Sequence, residues 1–152
     1  MASPGSLWIE GVRAGRTRLH WLLLALSPAG WVMLAVGRFV LVPDPSGHAT
    51  HVQLGLAPCL PMQRWGIPCP ACGLTTSVAH FAHGEWWSSL LVQPLGFALG
   101  ALALALPLVL LVAHLRGADI GRRVIDPRTP RVLGAALGFA TLCWIYKLVA
   151  TR

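Results

Sequence analysis

Residues 90–115, LLVQPLGFALGALALALPLVLLVAHL, decide the fold. The stretch holds no Asp, Glu, Lys or Arg, and its strongly polar side chains, Gln93 and His114, stand near its two ends. About 20 apolar residues cross the hydrocarbon core of a bilayer as a helix, so this segment reads as a span. Two further segments meet the same criterion: Leu19 to Gly37, and Val132 to Val149, the latter uncharged until Lys147. Lys147 is expected to snorkel to the interface alongside Trp144 and Tyr146. Composition agrees, because 55% hydrophobic residues with 11% charged leave too little polar surface for a soluble domain.

Orientation follows from the basic residues. The net charge of +7 does not point to nucleic acid, since the arginines flank apolar runs instead of lining an aromatic-bearing face. Arg13, Arg16 and Arg18 precede the first span, and Arg116, Arg122, Arg123, Arg128 and Arg131 fill the connection between the second and third. The long connection between the first two spans holds only Arg64, with Arg38 at its edge. Loops rich in Lys and Arg stay in the cytoplasm. The expected layout is therefore a cytoplasmic tail (1–18), a transmembrane helix (19–37), an extracytoplasmic loop (38–70), an interfacial helix (71–89), a second transmembrane helix (90–115), a basic cytoplasmic loop (116–131), a third transmembrane helix (132–149) and a short tail (150–152). The first apolar stretch is too long for a signal-peptide core, and SPAGW after Leu26 is a poor cleavage site, so it reads as a retained anchor.

Between the first two spans the chain is dense in Pro and Gly from Val42 to Pro70, which predicts an irregular, ordered loop. From Ala71 to Trp87 the residues Leu74, Val78, Phe81 and Ala82 recur at helical spacing, with Thr75, Thr76, Ser77, His80 and His83 at polar positions. This predicts a short helix at the outer interface, ended by Gly84, with Trp86 and Trp87 at headgroup depth. Pro94 and Pro107 are expected to kink the second span. Gly96 with Gly100, and Gly134 with Gly138, form Gly-x-x-x-Gly pairs that permit close helix approach, to another part of the chain, a membrane protein partner or a second copy. The fold class is an all-α membrane protein with about three transmembrane helices, plus a short interfacial helix after a Pro/Gly-rich extracytoplasmic loop.

The most specific stretch is GIPCPACGLTTS, Gly66 to Ser77. Cys69 reads as the N-cap of the short helix, with Pro70 at its first position and Cys72 one turn on. Helix N-terminal N–H groups stabilise a thiolate, which suits a reactive Cys69 and a resolving Cys72. Cys59 and Cys143 are candidate disulfide partners for that pair. The alternatives are a structural disulfide stapling the loop, and a zinc or other transition-metal site drawing on Cys59, Cys69, Cys72, His80 and His83, with His48 and His51 as further candidates. An oxidising exterior favours sulfur redox or stapling over a thiolate metal site, so no cofactor is expected. Outside the spans the predicted exterior holds only Asp44 and Glu85 as carboxylates, and no Walker, Rossmann or serine-hydrolase motif occurs.

The segment Cys69-Pro70-Ala71-Cys72-Gly73-Leu74-Thr75 resembles the signature of a bacterial membrane-protein family known as domain of unknown function 2752. Its members resemble this chain in pairing a Cys-Pro-x-Cys-Gly-x-Thr-Arg motif with an upstream cysteine, here Cys59, and a downstream proline, here Pro94. Thr76 departs from the pattern by standing where the family has arginine. The resemblance implies a bacterial inner-membrane location and carries no established activity. The functional expectation is a non-enzymatic membrane module or partner subunit with a disulfide-capable element, followed by a thiol-disulfide oxidoreductase or redox sensor, then a metal-binding membrane protein. The lipid bilayer is the one partner that the composition itself calls for.

Overall fold

A computed structural model describes residues 16–124 and 129–150. Arg13, Arg128 and the ends of both tails lie outside the described residues. Among those described, every regular element is helical: α1 (Arg18–Leu26), α2 (Ala29–Phe39), a 3-10 turn (Thr50–Leu54), α3 (Leu60–Trp65), α4 (Leu74–Ala82), α5 (Trp86–Val92), α6 (Pro94–Leu115), α7 (Ile120–Val124) and α8 (Thr129–Ala150). Three stretches are long and apolar enough to cross a membrane: Arg18–Phe39, which joins α1 and α2, together with α6 and α8. The chain is thus an all-helical, multi-pass membrane protein. Large apolar side chains such as Leu102, Val109, Leu133 and Leu137 stand exposed on these helices, as a lipid solvent allows.

Two prolines set the helix boundaries. Pro28 interrupts the first span between α1 and α2, where it supplies no N–H. Pro94 does not kink the second span as expected. It starts it, because the residue before a proline is pushed out of the helical region, and Gln93 is extended (φ −161°, ψ 105°). The expected span 90–115 is therefore the end of α5 followed by α6, with Pro94 in the first turn, where a missing N–H costs nothing. Pro107 does lie inside α6. The loop expected to be irregular carries the 3-10 turn and α3, each closed by a glycine in the left-handed region, Gly55 and Gly66. α7 likewise occupies part of the basic connection. These pieces are too short to show a hydrophobic period.

The short helix expected at the interface is present, but it is wedged between two spans. A Cβ placed on Gly37 of α2 would lie 3.1 Å from the Ala82 Cβ, one on Gly96 of α6 would lie 2.6 Å from both the Cβ and Oγ of Ser77, and one on Gly100 would lie 2.6 Å from the Phe81 ring. The Gly96/Gly100 pair thus seats α4, an internal use of the motif. Gly134 and Gly138 have nothing within 4 Å. Thr76 and Ser77, expected at polar positions of an interfacial helix, are fully buried. Ser77 Oγ lies 2.8 Å from the Ser89 carbonyl oxygen and 2.9 Å from that of Gln93, and Ser89 Oγ donates to the Ser77 carbonyl at 2.8 Å. This exchange ties α4 to the point where α5 gives way to α6, by way of carbonyls that also accept the N–H groups of Gln93, Gly96 and Phe97.

A second polar latch closes the opposite end of the bundle. The Ile120 N–H donates to His20 Nδ1 at 3.1 Å, and His20 Nε2 lies 2.9 Å from His114 Nδ1. Because Nδ1 of His20 accepts, its proton must sit on Nε2, which donates to His114. Asp119 holds the start of α1 to α7: it accepts from the Thr17 hydroxyl (2.9 Å), the Thr17 N–H (3.2 Å) and the Gly121 N–H (3.0 Å).

Candidate thiol site

The Cys-rich loop is built from turns. Cys69 does not cap a helix. Pro70 and Ala71 occupy the centre of a turn closed by the Cys72 N–H donating to the Cys69 carbonyl at 2.9 Å, the position at which proline is pre-set for a turn. Gly73 follows with φ +83° and is the N-cap of α4. Only glycine suits that site, since a Cβ there would lie 2.6 Å from the Gly47 carbonyl oxygen. Closing such a turn brings the Cα atoms of Cys69 and Cys72 within about 7 Å, the upper limit for a disulfide.

The cysteine that does cap a helix is Cys59, at the start of α3 with Pro61 in the first turn. The physics expected at Cys69 therefore acts at Cys59. Burial works against ionisation there, but it is outweighed by the Met62 N–H and by the neighbouring Cys69 and Cys72 thiols, which together hold the Cys59 thiol below its ordinary value. Cys69 shifts the other way: burial raises it, and the Cys59 thiol raises it further. Cys72 is almost fully enclosed, and burial, followed by the nearby Cys59 and Cys69 charges, pushes it up to about 11. The three thiols thus form one interacting group, with Cys59 lowered and Cys69 and Cys72 raised. All four cysteines carry free thiols in this structure. Cys143 is buried in α8, one turn before Lys147.

Two side chains hold this loop in place, one from α8 and one from the break before α6, and a third reaches its edge. Trp144 Nε1 donates to the Pro68 carbonyl at 3.1 Å, and Gln93 Nε2 to the Pro70 carbonyl at 3.3 Å. Lys147 does not snorkel outward. It is 6% exposed, and its ammonium donates to the carbonyls of Val92 (3.0 Å) and Gly47 (3.4 Å). A Cβ on Gly73 would lie 3.1 Å from its Nζ, and its positive charge favours the Cys72 thiolate. A cation thus reaches the motif from α8. Thr76 Oγ1 and Gln93 Oε1 are buried without a hydrogen-bond partner among the described residues.

Residues 59–113 match the family model described as "Protein of unknown function (DUF2752)". The matched segment runs from Cys59 through α3, α4, α5 and most of α6. It contains the three interacting thiols, Gln93 and the glycine seat of α4, and it agrees with the resemblance carried by Cys69 to Thr75. No curated protein and no solved structure matches the chain.

The histidines proposed as ligands with these cysteines are engaged elsewhere. His80 pairs with Glu85 at the far end of α4, and His83 Nε2 donates to the Leu41 carbonyl at 3.0 Å. Among the described residues no three His, Cys, Asp or Glu side chains stand together in metal-ligating geometry. The sequence reading missed Gln93 as a loop anchor and Lys147 as a buried cation. One signal was present, because Lys147 is the single lysine in a chain whose other basic residues are all arginine.

Proposed function

We infer that the chain is a small multi-pass membrane module, not a turnover enzyme, that presents a thiol-disulfide element to a partner at the extracytoplasmic face of a bacterial inner membrane. The observation that carries this reading is the graded trio: a half-buried Cys59 with a lowered thiol value, beside Cys69 and a buried Cys72 with raised ones. A thiolate is the attacking species in disulfide exchange, so such a gradient assigns the order of events. The Cys59 thiolate attacks one sulfur of a partner's disulfide, forms a mixed disulfide and expels the partner's other sulfur as thiolate. Cys69 then loses its proton and attacks the Cys59 sulfur, releasing the second partner sulfur. Two electrons pass to the partner, and Cys59 and Cys69 end as a disulfide; attack on it by a Cys72 thiolate would form a new disulfide with one of the two sulfurs and release the other as thiolate.

The arginine distribution supports the orientation. Arg16, Arg18, Arg116, Arg122 and Arg123 gather at the end of the bundle opposite the cysteines. The open Gly134/Gly138 face of α8 supports association with a membrane partner or a second copy, since the Gly96/Gly100 pair is already occupied by α4.

The test is thiol labelling of intact cells with a membrane-impermeant maleimide, before and after reduction, combined with the reduction potential of the purified protein. Cysteines labelled only after reduction, a potential above about −300 mV, and faster labelling of Cys59 than of Cys72 near neutral pH are expected. A potential well below that value would make the bond a structural staple, and labelling that requires opened membranes would overturn the orientation.

A further inference from the structure

The end of the bundle opposite the thiols holds two imidazoles that disulfide exchange does not use. His20 of α1 is fully buried, and His114, in the last turn of α6, is half-buried. The two rings meet nitrogen to nitrogen at 2.9 Å. Trp21 covers both, 5.4 Å from each ring centroid.

The protons of this pair are fixed by its neighbours. The Ile120 N–H donates to His20 Nδ1 at 3.1 Å, so that nitrogen keeps its lone pair and the ring proton sits on Nε2. His114 Nδ1 must then accept, and its own ring proton sits on Nε2. A further proton on His114 Nδ1 would set two N–H groups against each other across 2.9 Å with no acceptor between them. Reversing the His20 tautomer offers no escape. Its Nδ1–H would meet the Ile120 N–H, and the carboxylate oxygen that faces it, Asp119 Oδ1 at 3.8 Å, already accepts from the Thr17 hydroxyl and the Gly121 N–H.

The charged groups facing the pair are Arg16, Asp119 and Arg122. Arg16 donates to the His114 carbonyl at 3.1 Å, and Arg122 Nε lies 3.4 Å from Asp119 Oδ2. Arg18 and Arg116, beside the pair in the chain, are exposed. None of these titrates between pH 5 and 8, where an imidazole does.

We propose that His20 and His114 form a proton-operated latch, which ties α1 to α6 while both rings are neutral and lets the end of α6 go when His114 takes up a proton. His114 is the ring that a proton can reach, since His20 is sealed. The released form binds one proton more than the latched form, so latching is complete at high pH and is lost as pH falls. Below the point where the freed His114 ionises, the balance shifts toward release about tenfold for each pH unit. Asp119 stays ionised through this range and keeps α7 on the start of α1, so α6 is the element that moves.

The test is amide hydrogen exchange of the full chain in detergent micelles from pH 8 to 5, resolved to single residues and corrected for the intrinsic effect of pH. The N–H groups of Arg116, Gly117 and Ala118, which bond back into the last turn of α6, are expected to lose protection with the slope above, while those of Ile120 and Gly121 keep theirs. His114→Asn is expected to show no such step, because its carbonyl oxygen can accept from His20 but takes up no proton. Nitrogen NMR of the histidine-labelled wild-type chain reads the same event without a substitution: His114 becomes doubly protonated at the pH where protection falls, and His20 stays a neutral Nε2–H ring. Unchanged protection from pH 8 to 5, an equal step in His114→Asn, a doubly protonated His114 with protection intact, or loss at Ile120 while α6 stays held would each overturn the proposal.

Discussion

The seat of α4 on α6 gives the sharpest stability prediction. In Gly96→Ala the new methyl would stand 2.6 Å from the Ser77 Cβ and Oγ and 3.0 Å from the Leu74 carbonyl oxygen. Non-bonded carbon atoms prefer about 3.5–4.0 Å, so roughly 1 Å of overlap must be relieved, and the nearest atoms belong to the stem and backbone of a helix with no slack. Overpacking of this kind costs about 1–3 kcal/mol, and replacing glycine by alanine within a helix returns about 0.5–1 kcal/mol. The difference spans about 0–2.5 kcal/mol, and a contact as short as 2.6 Å belongs in its upper part, about 1–2 kcal/mol, a factor of roughly 5–30 in the folded population. It falls where Ser77 meets the carbonyls of Ser89 and Gln93, so α4 moves off α6 and carries Cys72 with it. The assay is unfolding of the purified chain with rising SDS fraction in mixed micelles, read by circular dichroism, alongside the alkylation rate of Cys72. A lower midpoint and Cys72 alkylation faster by about 5–30-fold are expected when brief opening limits access. Gly134→Ala is the control: nothing lies within 4 Å of that position, so its midpoint stays or rises. Gly96→Ala with an unchanged midpoint and a still-protected Cys72 would refute the wedge.

Gly73→Ala is expected to damage the thiol loop more than Gly96→Ala, since it adds left-handed strain of about 1–2 kcal/mol to a Cβ contact of 2.6 Å with the Gly47 carbonyl oxygen; mass spectrometry after a short alkylation pulse should find Cys72 modified much faster. Lys147→Met removes the cation that favours the Cys72 thiolate, so the pH midpoint of Cys72 alkylation moves further up, and an unmoved midpoint would exclude that electrostatic contact. At the opposite end, burial would raise the Asp119 carboxyl, but hydrogen bonds from Thr17, Arg122 and Gly121 outweigh it and hold the group below the ordinary carboxylate range. A lowered carboxyl contributes stability that is full above its unfolded value near 3.9 and is lost as pH falls through the folded value. The latch between α1 and α7 is therefore expected to loosen only below about pH 4, and acid titration of the unfolding midpoint should lose that step in Asp119→Asn.

What the sequence made legible divides by the range of the interaction. The spans were readable because apolar composition is a local property, and residues 94–115 carry it without interruption. The break at Gln93 was also local, following from the proline after it, yet hydropathy averages over that boundary and hides it. The capping cysteine was assigned to the wrong helix start: Cys69-Pro70 matches a cap with proline in the first turn, but so does Cys59 with Pro61, and only the left-handed Gly73 decides that the first is a turn. Apart from being the single lysine, Lys147 gave no sign of its burial, which depends on bringing residues 47, 73 and 92 to one point beside α8. That convergence brings a cation to the Gly73 turn from outside the motif. A lysine carries its charge on a long flexible stem, whereas a guanidinium is a planar fork. An ammonium threaded between two carbonyls can reach the Gly73 turn from the side of α8 without the room that a fork needs within α4. The cation that acts on Cys72 is thus a property of the packed spans. The gradient itself comes from burial and from the thiols acting on one another, and α8 moderates it at Cys72.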